Sequence, residues 1–191
     1  MKKYVIANEE RVFKTPRMEG VKRTLTATDG SDEFTHTIIK SEPSIATIVR
    51  SEDGKIAFIK QLRSTVNQYF LEIPAGLRNP GEESMLDVSR REVREETGML
   101  LKDVRLVVNG PSLLDPSKSD EDFGVAEATA CGQKARCLDE NERISSDIIW
   151  IDEADVFVRL REQLSEGKPF YDGLFLSGHT VYALLAYNFL H

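Results

Sequence analysis

The chain has 191 residues with 32 acidic against 25 basic side chains, a formal charge of −7 at pH 7, and a length that suits one domain with a sizeable core or a domain with an appendage. The acidic balance excludes a partner held through a nucleic-acid backbone, which calls for a basic face, but admits a phosphorylated small molecule approached through a metal ion. Cys131 and Cys137 fit no zinc spacing and read as a reduced pair, and no stretch has the apolar length of a secretion signal or a membrane span, so the expected location is the cytoplasm.

In chain order, residues 4–6, 12–14, 22–27 and 35–40 are rich in β-formers and parted by polar turns such as Asp29-Gly30-Ser31. They are too thin to bury a core alone. Residues 1–42 are therefore read as an N-terminal β segment that packs on the main domain or on a second subunit, and residues 43–191 as the main domain. Residues 45–49 and 56–59 flank an Asp53-Gly54 turn and predict a hairpin. Residues 69–73 predict a strand that runs into Pro74-Ala75-Gly76. A helix follows, then strands at 101–108, 124–130 and 148–151, separated by an acidic loop over 110–123 that is long enough to suggest function. Helices are predicted at 152–165, with Val156, Leu160 and Leu164 inward, and at 181–189, with Leu184 and Leu185 inward.

The stretch 74–99, PAGLRNPGEESMLDVSRREVREETGM, organises the rest. Ser84 with Asp87 three residues on makes a capping-box-like start, and Gly98 suits the left-handed position that ends a helix. At about 100° per residue, Leu86 and Val93 form an apolar stripe. Glu92, Glu95 and Glu96 fall at i, i+3 and i+4 on an adjacent face. Three carboxylates so close repel unless a cation lies among them, and an all-oxygen donor set suits a hard divalent ion such as Mg²⁺ or Mn²⁺.

These residues carry a resemblance to the Nudix box: Gly76, a glutamate, then Arg91-Glu92-Val93-x-Glu95-Glu96-x-Gly98-Met99. The first glutamate is Glu83, with one extra residue in the Asn79-Pro80-Gly81 loop; Glu82 would instead lengthen the helix spacing, and loop insertions cost less than a helix phase shift. The resemblance implies an α/β fold, the Nudix α/β/α sandwich with a mixed sheet plus a small N-terminal β-strand segment. It implies metal ligation by Glu92 and Glu96, by Glu95 directly or through a water, and by the backbone carbonyl of Ala75. Gly76, Glu83, Arg91 and Gly98 take structural roles, with Arg91 and Glu83 expected to pair.

Gln61-Leu62-Arg63 and Leu71-Glu72-Ile73-Pro74-Ala75-Gly76-Leu77 are similar to the elements that precede the box in ADP-ribose pyrophosphatases, which suggests Arg63 as a substrate-binding residue. Those enzymes also carry a downstream Ser-Pro-Gly element with a glutamate five residues past its proline. Asp115-Pro116-Ser117 lies in a similar place, so Glu121 is the expected general base, with Asp120 and Asp122 as alternatives. His36, His179 and His191 show no nucleophilic-triad pattern. The implied activity is Mg²⁺-dependent hydrolysis of a nucleoside diphosphate derivative, ADP-ribose giving AMP and ribose 5-phosphate. Alternatives are another nucleoside diphosphate sugar such as GDP-mannose, a dinucleotide, or a non-catalytic nucleotide-sensing Nudix module. The same resemblance implies a homodimer built on the N-terminal strands, with Phe13, Arg17 or Arg23 reaching the partner's substrate.

Overall fold

The computed structural model describes residues 1–79, 84–108, 112–138, 143–145 and 147–191. The chain divides into two compact units, Met1–Pro43 with Pro111–Phe123, and Ser44–Gly110 with Gly124–His191.

In the first unit, β1 (Tyr4–Lys14), β2 (Met18–Ala27) and β3 (Glu33–Ser41) form an antiparallel sheet in that order. The two short strands expected at 4–6 and 12–14 are one strand of eleven residues, because register shifts at Ile6/Asn8 and Arg11/Phe13 absorb the polar interval that reads as a break. Every residue of β1 is exposed. The acidic loop lies alongside β3: Ile39 N donates to Lys118 O at 2.7 Å and Asp120 N to Ile39 O at 3.2 Å.

In the second unit, β4 (Ser44–Arg50), β5 (Lys55–Arg63), β8 (Met99–Val108), β9 (Phe123–Gln133) and β10 (Ile149–Asp152) lie in the order β10-β5-β4-β9-β8, with β6 (Gln68–Glu72) on β5 and β7 (Ala75–Leu77) on β4. The Asp53-Gly54 turn joins β4 and β5 as expected, with Gly54 at φ 84°. Helices α1 (Met85–Thr97), α2 (Glu153–Glu166) and α3 (Gly178–Leu190) complete the unit.

Strand alternation assigns the helices to opposite faces of the sheet. Ile45 and Val49 of β4 point at α1 and pack with Val88 and Val93, whereas Arg50 points the other way and meets Glu153 of α2 at 3.1 Å. Phe58 on β5 packs against Phe170 on that second side, ring centroids 5.5 Å apart. The result is the expected α/β/α sandwich with a mixed sheet. Its helices bury narrower stripes than the periodicity implied. Val88 rather than Leu86 is the fully buried partner of Val93 in α1. Leu164 is 55% exposed and Leu185 46% exposed, while Val156, Leu160 and Leu184 are buried. Steps of four overshoot a helical turn, so Leu164, two such steps from Val156, has rotated about 80° off the buried line, and Leu185 sits about 100° from Leu184.

Candidate functional site

Helix α1 begins and ends as its sequence predicts. Ser84 Oγ accepts from Asp87 N at 3.2 Å, and Gly98 at φ 77° donates its N–H to Arg94 O. Val88 and Val93, both wholly buried, fix the rotation of the helix, each worth about 1.5–3 kcal/mol of apolar burial. That rotation sets Glu92 and Glu96 against β7, with Glu95 beside them on the helix and bonded to Arg91. Glu92 and Glu96 are buried and Glu95 is half-buried.

Strand β7 was not expected from the sequence, being three residues long, yet it carries the other half of the site. Ala75 N donates to Glu96 Oε2 at 3.1 Å. Gly76 lies so close to α1 that a Cβ there would overlap the carboxylate of Glu92. Only glycine lets the strand approach this carboxylate. Behind the strand, Thr47 N donates to Pro74 O at 2.8 Å, and Thr47 Oγ1 meets Ser89 Oγ at 2.7 Å, so β4 clamps both the Pro74-Ala75 turn and α1.

Arg91 stands at the edge of this face. Its Nη1 donates to Glu92 Oε1 at 2.6 Å and to Glu95 Oε2 at 3.2 Å, and its Nη2 to Leu77 O at 2.9 Å. Its expected partner Glu83 lies outside the described residues, as does Glu82. The geometry gives Arg91 a second task, that of a cation between two of the three carboxylates and a tie from α1 to β7. Among the described residues no three His, Cys, Asp or Glu side chains converge on a ready-made coordination point. The donor set nevertheless fits a hard divalent ion, since the carboxylates of Glu92, Glu95 and Glu96 crowd one helix face beside Ala75.

Arg63 forks onto Glu72, with Nε donating to Oε1 at 2.8 Å and Nη2 to Oε2. Glu72 is 0% exposed, and His179 Nε2 lies 3.2 Å from its Oε2. Burial pushes the Glu72 carboxyl up, and hydrogen bonds from His179 and Arg63 outweigh this, holding it below the usual carboxylate range. From the sequence, Glu72 is only one member of the element that precedes the box and His179 belongs to no nucleophilic-triad pattern, so neither is assigned a role there. The available signal was a lone glutamate inside the apolar run Phe70-Leu71-Glu72-Ile73, which a strand at that place must bury.

Glu121 belongs to the N-terminal unit, and the box carboxylates belong to the other. Its two alternatives have architectural partners. Asp120 pairs with Arg23 at 3.5 Å and accepts from Ser41 N, and Asp122 accepts from Ser112 N at 2.8 Å. Arg23 also pairs with Glu9 at 2.6 Å, and the Phe13 ring covers Gly20. Cys131 and Cys137 are free and exposed. Among the described residues no helix is long and apolar enough to cross a membrane.

Comparison with known proteins bears on the family and the fold. A family model described as NUDIX domain matches residues 40–172. An ADP-ribose pyrophosphatase of Bacillus subtilis (strain 168) is 31% identical over 127 residues, 65% of this chain and 67% of that protein. A methanol dehydrogenase activator of Bacillus methanolicus is 27% identical over 64% of this chain and 65% of its own length. An ADP-ribose pyrophosphatase of Mycobacterium tuberculosis (strain ATCC 25618 / H37Rv) is 26% identical over 63% and 58%. The chain thus spans about two thirds or less of each of these relatives. A solved ADP compounds hydrolase superposes with a TM-score of 0.73 over 98% of this chain and 94% of its own, at 19% identity, a likeness of fold. With its capped box helix, its carboxylate face and a family match over most of its length, the chain belongs to the Nudix family of pyrophosphohydrolases.

Proposed function

We propose that the protein hydrolyses the pyrophosphate of ADP-ribose to AMP and ribose 5-phosphate in the presence of Mg²⁺ or Mn²⁺. The observation that carries this reading is the face of α1 on which Glu96 meets Ala75 and Glu92 meets Gly76 of β7, with Glu95 tied to the same face through Arg91. The two relatives named as ADP-ribose pyrophosphatases support the choice of substrate.

Glu92 and Glu96 would hold the divalent ion, with Glu95 and the Ala75 carbonyl as further donors. Bound there, it would neutralise charge on the pyrophosphate and polarise phosphorus. The chain's own residues do the remainder. Burial of Glu92 and Glu96 keeps their carboxylates in one orientation, and the Thr47 clamp fixes the Pro74-Ala75 turn against them. Arg91 tethers Glu92 and Glu95 and offsets part of their mutual repulsion. Arg63 donates hydrogen bonds to substrate oxygens beyond the scissile bond. Glu121 takes the proton of the attacking water as general base.

We assign the N-terminal unit to homodimer formation in the cytoplasm. β1 is an edge strand that exposes Val5, Ile6, Val12 and Phe13, the kind of edge that invites pairing. The non-catalytic reading would fit a chain that had lost its box carboxylates, and this one keeps all three.

A turnover screen over ADP-ribose, other nucleoside diphosphate sugars and dinucleotides, with Mg²⁺ or Mn²⁺ and product identification, tests the assignment. ADP-ribose should give the highest kcat/KM. Preference for another member of the panel would replace the substrate, and turnover of none would overturn the enzymatic reading.

A further inference from the structure

A fully buried glutamate in a strand next to the site calls for a reason. Burying a carboxylate costs several kcal/mol, and a buried ion pair seldom repays this better than apolar side chains of the same volume would. Glu72 meets that cost with two partners. Arg63 grips both of its oxygens, and His179, in the first turn of α3, adds a contact to Oε2. Only the carboxylate end is wholly buried, since the Arg63 side chain remains 39% exposed.

We propose that Glu72 and His179 are positioning residues for substrate recognition. They hold the Arg63 guanidinium in one orientation before substrate arrives, so that its N–H groups outside the fork address the sugar-side oxygens of a nucleoside diphosphate sugar. The inference rests on the functional reading above and deepens it. Three observations carry it. An arginine left loose gives up rotamer freedom when it binds, whereas one already forked on a carboxylate has settled that cost in the free protein. Glu72 is held on its far side as well: Leu71 N donates to Phe175 O at 2.9 Å and Ile73 N to Thr180 Oγ1 at 3.2 Å, so the residues flanking Glu72 are stitched to the first turn of α3 and to the segment just before it. Finally, Glu72 lies three residues before Ala75, whose N–H holds Glu96. One rigid run of chain therefore sets both the recognition arginine and the carboxylate face, and fixes their spacing.

The test is steady-state kinetics of the full chain on ADP-ribose with Mg²⁺, for Glu72→Gln, His179→Asn, Arg63→Ala and the double variant Glu72→Gln/Arg63→Ala. Glu72→Gln should raise KM by about tenfold with kcat held within about threefold, and His179→Asn should raise KM by about threefold. In the Arg63→Ala background, Glu72→Gln should change KM by less than about twofold, because a residue that acts through Arg63 has nothing left to position. A merely structural glutamate would lower Tm and leave KM multiplicative across the two changes, and that result overturns the proposal. Should Glu72→Gln fail to fold, Arg63→Lys serves instead. It keeps the charge, loses the fork, and should raise KM as Glu72→Gln would; an unchanged KM there also overturns the idea. Wild-type protein that fails to hydrolyse ADP-ribose or any nucleoside diphosphate sugar refutes the functional reading and this role with it. Wild-type turnover with an unmoved KM in Glu72→Gln refutes the positioning alone.

Discussion

Gly76→Ala tests the candidate metal face without touching a carboxylate. A Cβ at position 76 would come within 2.5 Å of Glu92 Oε2, and closer still to Cδ and Oε1. That is 0.9 Å inside the 3.4 Å at which ordinary contact begins, so the Glu92 carboxylate must move by at least that much. The obstacle is the end of a flexible side chain, and the backbone of β7 can stay where it is. The expected stability loss is therefore at the low end of overpacking, about 1 kcal/mol, or a Tm shift of about 2–4 °C for a chain of this size. Catalysis should suffer far more. Misplacing a ligand or reacting group by about 1 Å costs on the order of 100-fold in rate, and disturbing a ligand's surroundings about 10–100-fold in metal affinity or activity. The assay is ADP-ribose turnover as a function of Mg²⁺, beside thermal unfolding. A cooperative unfolding transition near the wild-type Tm, with kcat down at least tenfold or the half-saturating Mg²⁺ raised to match, is the expected result. Folded Gly76→Ala protein with wild-type kcat and Mg²⁺ dependence would refute both Glu92 as a ligand and the reason given for glycine. Gly98→Ala is the contrasting control. Its φ of 77° and the nearby Lys134 carbonyl oxygen make it costly for the fold, so it should lose more Tm and shift the Mg²⁺ requirement less.

Glu96→Gln keeps the volume of a buried side chain and removes one anionic donor; kcat should fall by orders of magnitude with the fold intact by circular dichroism, and near-normal activity at saturating Mg²⁺ would remove Glu96 from the ligand set. Glu121→Gln should lower kcat while leaving KM and Mg²⁺ dependence in place, and comparison with Asp120→Asn and Asp122→Asn decides among the loop carboxylates, an unchanged rate in Glu121→Gln rejecting that choice. Because the folded pKa of Glu72 lies below its ordinary 4.5, its pairing contributes stability that is complete above pH 4.5 and is lost as pH falls through the folded value. Glu72→Gln should flatten that acid limb of Tm against pH, and an identical limb in both proteins would count against the ion cluster. Sedimentation equilibrium should show a dimer for the full chain at micromolar concentration and a monomer for Ile6→Asp, whereas a monomeric wild type would reject the dimer.

What was legible in the sequence followed how rigidly its elements are phased. Within α1, spacing alone placed Ser84 as the cap, Gly98 at the left-handed end and Glu92, Glu95 and Glu96 on one face, because each residue's direction follows from its neighbour's at a fixed angle. The same rule failed where the neighbouring surface, rather than the helix, decides how wide a stripe is buried: Leu164 and Leu185 continue the pattern into solvent. β7 was missed because three residues carry no periodicity, and its place is set by antiparallel pairing with Ser44, Ile45 and Ala46, which lie 29 to 33 positions before their partners. Glu72 and Arg63 show the limit of pairwise spacing most clearly. Nine positions apart, they share no helical relation; the pairing of β5 with β6 puts them on one face of the hairpin, Glu72 opposite Ile59 and Arg63 opposite Gln68, and the long arginine side chain spans the rest. Arg91 makes the converse point. The sequence allows it to pair with any acidic neighbour, and reading it as the partner of Glu83 rested on motif alone. In the folded chain it spans Glu92, Glu95 and Leu77 O, so the cation that three crowded carboxylates require is partly supplied by the helix that bears them. On the proposed reading, a divalent ion held there would compete with, or re-aim, that guanidinium, and metal affinity at this face would depend on Arg91 as well as on the glutamates, by the same electrostatics that put a guanidinium beside Glu92 and Glu95.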